Sequence, residues 1–165
     1  MRVFIVGYML SGKSTIGKRL AKLLNYTFID TDKEIENQYK LSVNDIFKKY
    51  GEEVFRVLEK KILENIGEKD NIVVSTGGGL VCFNDNMQWV KAKGVSIYLK
   101  LSPAAILSRH KISKRTRPLL QDKTDEEALD YITKTLEERE KYYTQADYCF
   151  DALSLKAEEI IKIIS

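Results

Sequence analysis

The stretch VFIVGYMLSGKST, residues 3–15, decides how this chain reads. Four apolar residues, Val3 to Val6, suit a buried strand, and a helical pattern runs from Lys13 to Leu24. Between them lies G-x-x-x-x-G-K-[ST], Gly7 to Ser14. Strand, loop and helix in that order make a phosphate-binding loop, a context that a chance glycine-containing turn would lack. Successive backbone N–H groups wrap the anion, and the helix N-terminus adds partial positive charge. Gly7 and Gly12 permit the backbone conformations this requires. Lys13 is expected to reach the β- and γ-phosphates of a nucleotide, and the Ser14 hydroxyl to coordinate Mg²⁺.

Outward from that stretch, β-rich runs recur at Tyr26 to Ile29, Ile72 to Ser75, Val95 to Leu99 and Tyr148 to Phe150. Helical patterns fill the gaps: two or three helices across Lys33 to Ile66, then Asn84 to Lys93, Ala104 to His110, Asp125 to Gln145 and Leu155 to Ile164. Strands alternating with helices of this length predict right-handed crossovers and a doubly wound α/β domain, a parallel sheet with helices on both faces. In Ser102-Pro103 the serine suits an N-cap and the proline the first helical position. The long helical insertion, about 32–66, reads as a substrate-binding lobe. The polar, basic stretch of about 109–123 reads as a mobile lid. With no internal repeat or linker, the 165 residues are expected to form a single domain.

The bulk composition narrows the partners. At 44% hydrophobic and 31% charged residues the chain is that of an ordinary globular protein, and a net charge of +3 suits a small anionic ligand better than a nucleic acid or a membrane surface. The N-terminal apolar run is too short for a signal peptide or a membrane span, so a cytoplasmic location is expected. Cys82 and Cys149 stand far apart and His110 is the only histidine, which leaves no zinc or redox spacing. Both cysteines read as buried, reduced thiols.

Many phosphate-loop proteins hold Mg²⁺ with an Asp at the end of a later strand. The third strand here ends in Thr76-Gly77-Gly78-Gly79 without a carboxylate, whereas the second leads into Asp30-Thr31-Asp32. Alternation sends Asp30 and Asp32 to the same side of the sheet's C-terminal edge, one for the metal and the other for an acceptor hydroxyl. Asp32 also reads as a helix N-cap. Apolar residues at 54, 55, 58, 62 and 66 mark a buried helix face beside Arg56 and Glu59. That pair is either a solvated surface ion pair or an arginine oriented by Glu59 to bind a carboxylate in a bidentate manner. Gly77 to Gly79 form a flexible turn or an opening through which a ligand approaches the backbone. The stretch Arg109 to Leu120 is basic but lacks interleaved aromatics for base stacking, which favours closure over a triphosphate. A guanine-reading N-K-x-D sequence is absent. Together these features point to a small-molecule kinase.

Six motifs in order carry a resemblance over almost the whole chain: G-x-x-x-x-G-K-S at Gly7 to Ser14, D-T-D at Asp30 to Asp32, G-E-x-x-F-R-x-x-E at Gly51 to Glu59, T-G-G-G at Thr76 to Gly79, R-P-L-L at Arg117 to Leu120, and E-R-x-x-x-Y at Glu138 to Tyr143. The chain resembles shikimate kinase. The resemblance implies a fold like the nucleoside monophosphate kinases, with five parallel strands, and transfer of the ATP γ-phosphoryl group to the 3-hydroxyl of shikimate. It implies ATP contacts from Gly7, Ser11, Gly12, Lys13, Ser14, Thr15, Arg109 and Arg117, with Arg109 or His110 against adenine. Mg²⁺ falls to Ser14 and Asp30, and the substrate to Asp32, Arg56, Gly78, Gly79 and Arg139. Lys13, Asp32 and Arg117 take the catalytic roles. By local sequence alone Arg139 passes for a surface residue among Glu137, Glu138 and Glu140. Two departures stand out: Leu10 occupies a loop position where the family commonly has glycine, and a proline is missing around Leu153-Ser154-Leu155. The expected partners are ATP and shikimate, with the protein acting as a monomer. A gluconate or nucleotide kinase and a nonenzymatic nucleotide-binding regulator are the rivals. A nucleotide acceptor would need further cations, and a regulator would have no use for the paired aspartates and acid-binding arginines.

Overall fold

The first strand, β1 (Arg2–Val6), alternates between two hydrophobic clusters, as a strand covered on both faces must. Phe4 and Val6 enter one cluster, Val3 and Ile5 the other, and all four are fully buried. The computed structural model describes residues 1–114 and 117–165. Arg115 and Thr116 of the expected lid lie outside the described residues.

After β1 the chain forms α1 (Lys13–Leu24), β2 (Thr27–Asp30), α2 (Thr31–Tyr39), α3 (Val43–Tyr50), α4 (Glu52–Ile66) and β3 (Ile72–Ser75). A 3₁₀ turn at Leu80–Cys82 leads to α5 (Asn86–Lys93), β4 (Val95–Lys100), α6 (Pro103–Ile112), α7 (Asp125–Tyr143), β5 (Tyr148–Asp151) and α8 (Ala157–Ile164). The sheet of the described residues is parallel throughout and ordered β2-β3-β1-β4-β5. Helices α1 and α8 cover one face through Leu20, Ala21, Ala157 and Ile160, and the remaining large helices supply the cluster on the other. This is the doubly wound α/β arrangement of the P-loop kinases, with the helical insertion resolved into α2, α3 and α4.

Connections leave β1 toward β2 and leave β3 toward β4 on the opposite side, so the order reverses at the β1–β3 crevice, where open α/β sheets bind ligands. The register brings three strand ends level there: Ile5 pairs with Ser75, and Ser75 with Asp30. Local signals hold at the boundaries. Ser102 Oγ accepts from the Ala105 amide at 3.2 Å with Pro103 in the first turn of α6, and Asn25 ends α1 in a left-handed conformation.

Four expectations change. Strand β2 stops at Asp30, so Asp32 belongs to the first turn of α2 and the alternation argument does not reach it. Asp30, not Asp32, is the N-cap, its Oδ1 accepting from the Lys33 amide at 3.2 Å. On α4 Val54 is exposed while Leu63 and Glu59 are buried, because the face turned inward follows Phe55, Leu58, Ile62 and Ile66. Cys149 is exposed on the edge strand β5, which has a neighbour on one side only, and Cys82 is half-buried; both are free thiols. The expected lid begins in α6, and beyond Arg117 the buried Leu120 anchors it to the core. No helix of the described residues is long and apolar enough to cross a membrane.

Candidate active site

The phosphate loop links β1 to α1 in the conformation its sequence demands. Gly7 has φ 149° and Gly12 φ 90°, values that side chains rarely adopt, and a Cβ on Gly7 would lie 2.8 Å from the Leu99 carbonyl oxygen. Ser11 is buried beside Gly7, and its amide donates to the Tyr8 carbonyl at 3.3 Å. Leu10 sits at φ 67°, which explains why a glycine suits this position; the left-handed conformation costs a side-chain-bearing residue about 1–2 kcal/mol. Its carbonyl accepts from Arg109 Nη1 at 2.8 Å.

Lys13 is buried, with its ammonium donating to the Tyr8 carbonyl at 2.8 Å. Burial lowers its pKa to about 8, an effect that Asp32 and Asp30 partly offset and Arg117 reinforces. The loop therefore holds a cation short of counter-charge, suited to a phosphate. Beside it the Ser14 hydroxyl donates to Asp30 Oδ2 at 2.9 Å and lies 3.2 Å from Ser75 Oγ. These hard oxygens, from the first turn of α1 and the ends of β2 and β3, together with Lys13, Thr15, Asp32 and Arg117, surround a cleft of about 230 Å³.

The glycine turn after β3 is pinned at its start. Thr76 donates to the Ile5 carbonyl through both its amide and its hydroxyl, and the Gly77 amide donates to Thr31 Oγ1 at 2.9 Å. Charged side chains then stand against each glycine. A Cβ on Gly77 would lie 2.7 Å from Asp32 Oδ1, one on Gly78 3.4 Å from Arg139 Nη1, and one on Gly79 2.7 Å from Arg56 Nη2. With Glu59 Oε2 3.1 Å from the same Gly77 position, two carboxyl groups and two guanidinium groups thus meet one short turn.

Arg56 is held firmly. Its Nη1 donates to Glu59 Oε1 at 2.5 Å, and its guanidinium stacks on Phe83 with 4.2 Å to the ring centroid. Glu59 is 1% exposed, so the pair is buried rather than solvated. Burial pushes the Glu59 carboxyl up to about 7 against the pull of Arg56. Arg139 lies over the Tyr8 ring at 5.5 Å. One helical turn later, the Tyr143 hydroxyl donates to the Gly78 carbonyl, its ring stacking on Tyr98 at 5.1 Å. Burial raises the Tyr143 phenol well above its ordinary pKa, which keeps it a donor. Tyr98 in turn donates to Glu140 Oε2 at 3.0 Å.

The shikimate kinase family model matches residues 9–165. This chain belongs to the shikimate kinase family. It is 43% identical over 164 residues to the shikimate kinase of Parabacteroides distasonis, spanning 99% of this chain and 95% of that one. The crystal structure of shikimate kinase from Bacteroides thetaiotaomicron superposes with a TM-score of 0.93 at 41% identity, covering 99% of this chain and 95% of that one. Shikimate kinase from Acinetobacter baumannii in complex with shikimate superposes with a TM-score of 0.85 at 32% identity, covering 99% and 89%.

Most of the family's expected site residues converge in this shikimate kinase relative. Gly12, Lys13, Ser14, Thr15, Asp30, Asp32, Gly78 and Arg117 line the smaller cleft. Arg139 lines a larger one of about 890 Å³ with Cys82, Phe83 and Tyr142. Arg109 stands apart, bridging the Leu10 carbonyl and, at 3.3 Å, the Ala152 carbonyl after β5. In the loop lacking the family's proline, the Leu153 amide donates to Asp151 Oδ1 at 2.9 Å, closing a local turn. Sequence reasoning assigned no role to Ser75, Tyr143, Phe83 or Glu52, and read Gly77 only as part of the glycine turn. Tyr143 and Glu52 carried a signal, their spacing of four from Arg139 and Arg56 placing each pair on one helix face.

Proposed function

We propose that this member of the shikimate kinase family transfers the γ-phosphoryl group of ATP to the 3-hydroxyl of shikimate using the residues gathered at the glycine turn. The observation that carries the assignment is the placement of Asp32, Arg139 and Arg56 against Gly77, Gly78 and Gly79, beside the phosphate loop. An acceptor bearing a hydroxyl and a carboxylate matches Asp32 and two guanidinium groups, with Glu59 already engaged by Arg56. In this reading Arg56 and Arg139 clamp the shikimate carboxylate, Gly78 and Gly79 line its ring, and the hydroxyl points to Asp32.

Asp32 orients the hydroxyl and accepts its proton as the oxygen–phosphorus bond forms and the bond from the γ-phosphorus to the ADP oxygen breaks. The loop amides from Gly7 to Thr15 hold the phosphates, and the ammonium of Lys13 and the guanidinium of Arg117 offset charge on the transferring group. Arg109 braces the loop on the adenine side through Leu10. Helices α2 to α4 form the substrate-binding lobe and residues 109–123 the lid, whose closure excludes water.

The oxygen pair of Ser14 and Asp30 fits Mg²⁺, which takes one or two protein oxygens and fills its octahedron with phosphate oxygens and water. Among the described residues no group of three or more carboxylate, histidine or cysteine ligands competes for it. When bound, Mg²⁺ neutralises phosphate charge. The groups named all lie on one chain, which supports the reading of a monomer. The free thiols of Cys82 and Cys149 suit the cytoplasm. ADP release measured with shikimate, gluconate and AMP offered separately tests the reading. Turnover with shikimate is expected; turnover with gluconate or AMP in its place would overturn it.

A further inference from the structure

Arg56 has two carboxylates on it, and they differ in kind. Glu59 is 1% exposed and holds Nη1 from inside the protein. Glu52, at the start of α4, is 56% exposed and accepts through Oε1 from Nη2 at 3.1 Å and from Nε at 3.4 Å. The face of the guanidinium is covered by Phe83, and Nη2 and Nη1 crowd Gly79. The Nε–Nη2 edge is one of the two that can receive a carboxylate in a bidentate manner. It holds an acid of the chain itself, at the rim of the larger cleft that Arg139 also lines. Glu59 is a buried fixture, whereas Glu52 is a solvated side chain that can swing into water without leaving a charge buried.

We propose that Glu52 is an intramolecular competitor for the substrate carboxylate: it occupies the outer edge of Arg56 while the site is empty and yields that edge to an acidic acceptor. This rests on the reading of Arg56 as part of the carboxylate clamp. Two consequences follow from the charge balance. Arg56 keeps a partner in the empty site, and an acidic substrate must displace an existing ion pair, so its affinity is reduced by the strength of that pair. A neutral acceptor cannot take the edge and leaves the pair intact.

The opposite role, in which Glu52 positions Arg56 for the substrate, predicts the opposite sign. In Glu52→Gln and Glu52→Ala, competition predicts that the Kd and KM for shikimate fall by roughly two- to fivefold, the scale of an exposed ion pair, while kcat and the Kd for MgATP hold. Two variants guard against a defect particular to one, and circular dichroism checks folding of both. An unchanged or raised shikimate Kd in both would overturn the proposal. Arg56→Lys is titrated in parallel, since an ammonium cannot reproduce the bidentate fork. If it weakens shikimate binding while the Glu52 variants bind no tighter, the competitor role alone fails. If it leaves shikimate binding unchanged, the carboxylate clamp fails and the proposal with it.

Discussion

The Ser14 hydroxyl donates to Asp30 Oδ2 across 2.9 Å, tying the first turn of α1 to the end of β2, while Asp30 Oδ1 caps α2 through the Lys33 amide. Asparagine caps a helix about as well as aspartate, so Asp30→Asn removes charge with little structural cost. Its turnover is expected to require more Mg²⁺, with partial recovery at high metal. A Mg²⁺ titration of initial rate at saturating shikimate checks this, and an unchanged metal dependence would count against the assignment.

Asp32→Asn keeps the size of the side chain but cannot accept the hydroxyl proton. Turnover is expected to fall by roughly 10² to 10⁴, with MgATP binding retained and no recovery on adding metal. A near-normal rate would mean that positioning alone carries the transfer.

Gly77→Ala tests the same group through its neighbour. The backbone at Gly77 does not lie at positive φ, so alanine brings no conformational strain there. Its Cβ would instead stand 2.7 Å from Asp32 Oδ1 and 3.1 Å from Glu59 Oε2. Asp32 must move, and a displacement near 1 Å costs roughly 10² in rate. Stopped or steady-state assays on a variant with wild-type MgATP affinity should find this loss in kcat.

Tyr143→Phe keeps the ring stacked on Tyr98 and deletes the hydroxyl that holds the Gly78 carbonyl. Leaving that acceptor without its partner is expected to lower stability by about 1–3 kcal/mol in urea unfolding. Because Gly78 also borders Arg139, KM for shikimate should rise while the Kd for MgATP stays constant. Equal weakening of both ligands would make Tyr143 a purely structural residue.

The raised Glu59 carboxyl links stability to pH. Folded Glu59 binds its proton up to about 7, whereas the unfolded residue releases it near 4.5. Between those values the folded state carries more protons, so this group's stabilisation is complete below 4.5 and is lost as pH climbs to 7. Unfolding free energies of the protein minus those of Glu59→Gln should therefore fall across that window, by roughly 1–3 kcal/mol, and level off above it. A difference that does not change with pH would show that Glu59 titrates normally.

Local chemistry made the fold legible. The continuous apolar run Val3 to Val6, the glycines of the phosphate loop and the Ser102-Pro103 boundary each act within a few residues, so the strands and helices could be read from sequence with small shifts at their ends. The phosphate loop was legible for the same reason. Family motifs named Arg56, Asp32 and Arg139, but their local surroundings did not settle what they do: Arg56 and Glu59 spell an ordinary surface ion pair, and Arg139 stands among acids on an apparently solvated helix. Only the tertiary structure buries Glu59, sets Arg139 over Tyr8, makes Asp30 the cap and leaves Asp32 at Gly77. The physical reason is separation along the chain. Residues 32 and 56 lie on the β2–β3 connection, 77–79 on the β3–β4 connection and 139 on the β4–β5 connection, and the parallel sheet brings them to one edge by pairing β2, β3, β1 and β4. Burial and electrostatic surroundings are set by that convergence, which no window of neighbouring residues contains.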